Sequence, residues 1–177
     1  MALSFLEELL HSGDDEQYLG ALMCIGNTRE VQDRLFPAIE TYKRVLEMQT
    51  ANLGSNHLDP LMSVRRFASL FYRASRYQDA LTWENKAVSG FGKLGIDGEV
   101  EGCKSLDYLS CVYLPLGRFQ DATKVQKKAV EGFEKVLGTQ HPSTWKATLD
   151  LADIYRAMER KEDAVRLYEK TLKGYEA

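Results

Sequence analysis

The side chains able to carry chemistry are few and poorly grouped. Cys24, Cys103 and Cys111 form no Cys-x-x-Cys pair, and the last two are eight residues apart on one predicted helix, too far to bridge within it. With no Cys/His cluster at metal-ligand spacing, they read as reduced small side chains of a cytoplasmic protein. Of the histidines His11, His57 and His141, the last two fall at equivalent points of a repeating pattern, as a structural residue does. A catalytic histidine is needed once. The carboxylate pairs Glu7/Glu8 and Asp150/Asp153 lie on amphipathic stretches and read as solvated faces. No phosphate-cradling glycine loop or nucleophile elbow occurs between a strand and a helix. No catalytic residue, metal or cofactor is therefore assigned, and the chain reads as non-enzymatic.

Composition narrows the class further. The 177 residues are 44% hydrophobic and 28% charged, with 23 Lys+Arg against 26 Asp+Glu and a net charge of −3. That near-balance argues against nucleic-acid binding driven by bulk charge. No apolar run reaches the roughly 18 residues of a membrane span, and the N-terminus lacks the basic and apolar regions of a secretory signal. The expectation is neither nucleic acid nor membrane as a partner.

What could position these side chains is a repeat. Arg34-Leu-Phe-Pro-Ala38, Arg76-Tyr-Gln-Asp-Ala80, Arg118-Phe-Gln-Asp-Ala122 and Arg160-Lys-Glu-Asp-Ala164 begin 42 residues apart. Gly90-Phe91, Gly132-Phe133 and Gly174-Tyr175 keep the same period, and so do Leu53-Gly54/His57 and Leu137-Gly138/His141-Pro142. Four copies of 42 leave nine residues over. Within a copy the apolar spacing is helical: Thr148, Leu151, Ala152, Tyr155 and Met158 share one stripe, and Ala164, Leu167, Tyr168, Thr171, Leu172 and Tyr175 another. Asp79, Asp121 and Asp163 open the second helix of their copies, where free N–H groups favour a carboxylate; Pro37 takes that place in the first. Pro115 is expected to bend or end its helix early. Each copy is helix A, tight turn, helix B, loop, with no strand.

These residues carry a resemblance. Small residues open helix B (Ala38, Ala80, Ala122, Ala164) and sit mid-way along helix A (Gly26, Ala68, Ser110, Ala152). An aromatic follows the latter three residues on in three copies, as Phe71, Tyr113 and Tyr155. The pattern resembles the tetratricopeptide signature, and the 42-residue spacing with Leu137-Gly-Thr-Gln-His-Pro-Ser-Thr144 resembles kinesin light chain repeats and related arrays of signalling NTPases. The resemblance implies an all-α, right-handed solenoid of antiparallel helix pairs over residues 14–177, preceded over 1–13 by a short helix and turn, the stub of a preceding repeat. Arg29 replaces the aromatic in the first copy. No polar capping helix follows the last, so the chain reads as a piece of a longer array or as one that self-associates through its C-terminal face.

In such an architecture helix A lines the concave face. The inward positions read Met23, Asn27, Glu30 and Val31; Arg65, Ser69, Tyr72 and Arg73; Asp107, Cys111, Leu114 and Pro115; and Leu149, Asp153, Arg156 and Ala157. Arg65, Tyr72 and Arg73 suit a carboxylate-bearing segment, while Asp107 and Asp153 favour a cationic part of the same ligand. The asparagine pairs by which kinesin light chain repeats hold a peptide are replaced here by Met23-Cys24, Arg65-Arg66, Asp107-Tyr108 and Leu149-Asp150. Of the carboxylate clamp of chaperone-binding relatives, only Asn27 and Lys104 stand at matching places. Lys124, Lys127 and Lys128 on helix B read as a solvated face, and Trp83 and Trp145 as packing residues. The expected function is a scaffold for a peptide or protein partner. The alternatives are a sensor or oligomerisation segment of a larger signalling NTPase, and a small-molecule binder or catalyst using the superhelix interior, with a closed, aromatic-lined pocket near Tyr72, Tyr108 and Trp145.

Overall fold

The structure, a computed structural model, describes residues 15–95 and 99–175. The expected stub over 1–13 lies outside the described residues. Within them the chain is helical and contains no strand: α1 (Asp15–Val31), α2 (Leu35–Leu53), α3 (Leu58–Arg73), α4 (Tyr77–Leu94), α5 (Val100–Tyr113), a 3-10 turn (Leu114–Leu116), α6 (Phe119–Leu137), α7 (Pro142–Ala157) and α8 (Lys161–Tyr175). Odd-numbered helices are the A helices and even-numbered ones the B helices of four repeats. The chain divides into two compact units, one ending at Trp83 and one beginning at Glu84, so the division falls inside α4. In the first unit α1 packs on α2 and α2 on α3; in the second, α5 packs on α6, α6 on α7 and α7 on α8.

Each A helix stops by the same device. Asp33, Ser75, Gly117 and Glu159, spaced by 42 residues, adopt left-handed backbone with φ of 56, 58, 70 and 58°. The next N–H, that of Arg34, Arg76, Arg118 or Arg160, reaches back five residues to a carbonyl at 2.8 to 3.1 Å, the Schellman closure of a helix end. In three repeats that arginine does two more things. Its guanidinium lies over the ring five residues back, Arg76 on Phe71, Arg118 on Tyr113 and Arg160 on Tyr155, at 4.8, 4.6 and 4.5 Å. Its Nε donates to the aspartate three residues on, Asp79, Asp121 or Asp163, at 2.7 to 2.8 Å. Repeat 1 lacks both ring and acid. Arg29 occupies the ring's place and donates to the Pro37 carbonyl at 3.1 Å and to the Thr41 hydroxyl.

The other periodic residues also have structural work. His57 and His141 cap α3 and α7: their Nδ1 atoms accept from the N–H of Asp59 and Ser143 at 3.3 and 3.1 Å. The helix-B glycines make room for helix A. A methyl on Gly132 would collide with the Cys103 sulfur, and one on Gly174 would stand 3.1 Å from Trp145 Nε1. Pro115 has no N–H to continue an α-helix; α5 ends at Tyr113 and tightens into the 3-10 turn.

Fully buried Ala38, Ala80, Ala122 and Ala164 and the buried small residues Gly26, Ala68, Ser110 and Ala152 leave the helices of a pair room to approach. Around the crossings the second unit packs Cys103, Val130, Phe133, Leu151 and Tyr155 into one cluster. Each such large side chain contributes about 2 kcal/mol by leaving water. On α8, Val165 and Leu172 are 52 and 59% exposed, whereas Val130, the counterpart of Leu172 one repeat earlier, is buried in that cluster.

Candidate interaction surface

The A helices turn one side to their B partners and leave a polar side open. In the first unit α1 and α3 contribute it. Arg66 Nη2 donates to Asn27 Oδ1 at 2.6 Å, and its Nε to Glu30 at 3.2 Å. Arg73 reaches the other oxygen of Glu30 at 3.0 Å, the Glu30 carbonyl at 3.4 Å and Asp33 at 2.9 Å. The Tyr42 hydroxyl on α2 also donates to Asn27, so one amide oxygen serves two donors. Arg66 further lies over the Tyr42 ring at 5.3 Å. Tyr72 meets Tyr77 edge-on at 5.3 Å, and Ser69 is half-buried.

The second unit builds its surface from α5 and α7. Lys146 bridges Asp107 and Asp150, at 3.2 and 2.6 Å. Beneath it Gln126, fully buried, donates from Nε2 to Asp107 at 2.7 Å and to the Ala147 carbonyl at 2.9 Å, and accepts from the Ser110 hydroxyl. Two part-buried carboxylates thus share the ammonium of one exposed lysine. Burial raises the Asp150 carboxyl above the usual carboxylate range, against the Lys146 hydrogen bond. Burial would lower Lys146, but its bonds to Asp150 and the charge of Asp107 outweigh that and hold the ammonium above its ordinary value. The Cys111 thiol beside them is pushed up to about 11, by burial first and then by Asp107 and Asp150. Lys104 pairs with Glu101 at 2.7 Å. Asp153 accepts from Arg156 at 2.9 Å and from the Tyr168 hydroxyl at 2.6 Å.

The residues singled out in the sequence are therefore brought together only in part. Asn27 binds Arg66, which was not among the expected inward positions, while Arg65 reaches the Met62 sulfur at 3.8 Å. Arg73 is held by Glu30 and Asp33. Asp107 and Lys104 share α5 with different partners, and Asp153 and Arg156 pair with each other. Arg66 was noted only as a departure from the asparagine pair and Asp150 only as part of a solvated face; Lys146 and Gln126 were not singled out. The Lys146/Asp150 spacing of four on one helix was the available signal; Gln126 offered none. Among these residues α1 and α3 carry three arginines (65, 66, 73) against Glu30 and Asp33. The α5 and α7 set has three cations (Lys104, Lys146, Arg156) against Glu101, Asp107, Asp150 and Asp153.

Among the described residues no group of three or more His, Cys, Asp or Glu could hold a metal, and no helix is long and apolar enough to cross a membrane. A recess of about 200 Å³ in the second unit is lined by Trp145, Thr148, Lys170, Thr171 and Gly174 among others. One indole among polar side chains differs from the closed aromatic pocket a small-molecule binder calls for.

Paired antiparallel helices with small residues at the crossings and a 42-residue period define an all-α repeat solenoid. The tetratricopeptide repeat family model matches residues 17–92 and 106–177, and the chain belongs to that family. In fold it is of the kinesin-light-chain-like type. A structure of the nearly identical TPR-like repeats of a putative kinesin light chain from Podosopora anserina is 20% identical. It superposes with a TM-score of 0.84 over 98% of this chain and 82% of that one. BtubC (BKLC) from P. vanneervenii is 14% identical, with a TM-score of 0.82 over 92% of this chain and 65% of that one. A signal transduction ATPase with numerous domains from Pyrococcus horikoshii, bearing a tetratricopeptide repeat sensor, is 20% identical at a TM-score of 0.73. There the match spans 97% of this chain and 26% of the other. No curated protein matches the chain.

Proposed function

We propose that the chain is a non-enzymatic scaffold whose A helices receive a peptide or protein partner. The observation that carries this reading is that the open faces are polar yet held across neighbouring helices, Arg66 to Glu30 and Lys146 to Asp107. Side chains already fixed lose little freedom when a partner arrives, which favours binding. On this reading Asn27, Arg65, Ser69, Tyr72 and Arg73, together with Arg66, Glu30 and Asp33, form a surface with one positive charge in excess, suited to an acidic segment. Lys104, Asp107, Asp153 and Arg156, with their neighbours, form one with a negative excess, suited to a cationic segment. Photo-crosslinking decides it. A crosslinking amino acid at Ser69 or Lys104 should capture one and the same protein from cell extract, and one at Lys128 on α6 should not. Capture from Lys128 alone removes the reading.

A second reading is a sensor segment within a larger signalling NTPase, supported by the fold likeness to the Pyrococcus horikoshii protein. A nucleotide-binding domain in the same reading frame is its requirement; a frame without one ends it.

A further inference from the structure

The arginine at the A–B turn has a carboxylate and a ring in three repeats and neither in the first. Arg76, Arg118 and Arg160 each hold an aspartate and each lie on an aromatic side chain. Arg34 is their counterpart, but Pro37 stands where the aspartate would be, Arg29 where the ring would be, and α2 has no acidic residue in its first turn. The carboxylates close to it in the chain are engaged elsewhere: Glu30 by Arg66 and Arg73, Asp33 by Arg73. Among the described residues the exposed Arg34 guanidinium has no side-chain partner.

The same turn departs from its counterparts in a second way. Phe36 is 62% exposed and Val31 88% exposed. Gln78, Gln120 and Glu162 stand at the place of Phe36 in the other repeats, and Arg73, Pro115 and Ala157 at that of Val31. Six consecutive residues thus present a guanidinium with no side-chain partner among the described residues beside an exposed aromatic and an exposed aliphatic side chain, and arginine and aromatic residues are the types enriched in interfaces.

We propose that this first A–B turn docks a segment of a partner protein carrying an Asp or Glu beside an apolar side chain. The partner's carboxylate takes Arg34 as Asp79 takes Arg76 within the chain, and its apolar side chain covers Phe36 and Val31. The site is separate from the A-helix faces and stands or falls without them.

The test uses immobilised ten-residue peptides with one central Glu or Asp and a Leu, Phe or Trp two residues away, each beside a twin carrying Gln or Asn. The whole chain should bind the acidic peptides about ten-fold or more tightly than their twins, the scale of one charge-assisted hydrogen bond. Arg34→Gln and Phe36→Gln should each remove about ten-fold. Pro37→Asp, which restores the residue of the other repeats and gives Arg34 an internal carboxylate, should do the same while leaving the helical content intact. Arg76→Gln should leave binding within about two-fold, because that arginine is already satisfied. The proposal is overturned if the acidic peptides bind no better than their twins, if the three turn variants bind as the parent does, or if Arg76→Gln costs as much.

Discussion

The Tyr168 hydroxyl donates to the Asp153 carboxylate at 2.6 Å across the α7–α8 pair. Tyr42 makes the equivalent bond to Asn27 three repeats earlier, to a neutral acceptor. The Tyr168 bond, ahead of the Arg156 contacts, holds the Asp153 carboxyl below the usual carboxylate range despite some burial. A depressed carboxyl contributes stability that is present above its unfolded value and is lost as pH falls through the folded value. Tyr168→Phe should therefore raise the Asp153 midpoint in a carboxyl-carbon NMR titration and lower stability at pH 7. The cost should stay under about 1 kcal/mol, since Asp153 is half-exposed and solvent screens it. At pH 2 that difference should close. Tyr42→Phe should show no such acid-range dependence.

The left-handed turn residues permit a direct stability test. Ser75 pays a steric penalty that Gly117 avoids at the same place in the next repeat. Urea unfolding of Ser75→Gly should show a gain of about 0.5 to 1 kcal/mol, and of Gly117→Ala a loss of about 1 kcal/mol. Asp33→Gly should gain less, because Asp33 also binds Arg73 at 2.9 Å. Equal gains at positions 33 and 75 would mean that the Arg73 contact contributes nothing.

What was legible in the amino-acid order was what recurs as a residue type. The Arg-x-x-Asp-Ala series, the helix-B glycines and the loop histidines stand at one offset because a turn, a close approach and a cap recur. The turn residue itself was hidden, since Asp33, Ser75, Gly117 and Glu159 share a backbone angle and not a side chain. The place of Gln126 is filled by Tyr42, Glu84 and Tyr168 in the other repeats, each with its own helix-A partner. Arg65 and Arg66 point about 100° apart on one helix, and apolar spacing says which residues are buried, not which polar neighbour meets a given carboxylate.

Gly26 tests how closely the first helix pair must approach. A methyl built there would lie 2.8 Å from Tyr42 Cε2, and that ring is buried, with its hydroxyl on Asn27. Overpacking of about 1 to 3 kcal/mol opposes the helix-propensity gain of about 1 kcal/mol from replacing glycine. Gly26→Ala should therefore lower the midpoint of urea unfolding. Gly26→Ala combined with Tyr42→Leu should recover part of the loss relative to Tyr42→Leu alone, because the obstructing ring is gone. Gly20, which has nothing within 4 Å of a built methyl, should gain from the same substitution.

Lys146 and Cys111 report on each other through the two aspartates between them. With its thiol pushed up to about 11, Cys111 should alkylate slowly at pH 8, accelerate about ten-fold per pH unit and level off only near pH 11. Lys146→Met removes the one cation that opposes this shift, so the plateau should move still higher, while Asp150→Asn should move it down. Stability should follow the same logic. Lys146→Met leaves Asp107 and Asp150 facing each other without their shared ammonium, at a cost of about 1 kcal/mol at pH 7, since the Lys146 side chain is 66% exposed and solvent screens the pair. Adding Asp150→Asn removes one of the two charges and should restore part of that. Stopped-flow alkylation, read by mass spectrometry at Cys111, checks the first pair of outcomes; urea unfolding of the single and double variants checks the second. A Cys111 plateau unchanged by Lys146→Met would show that the Lys146 charge does not reach the thiol.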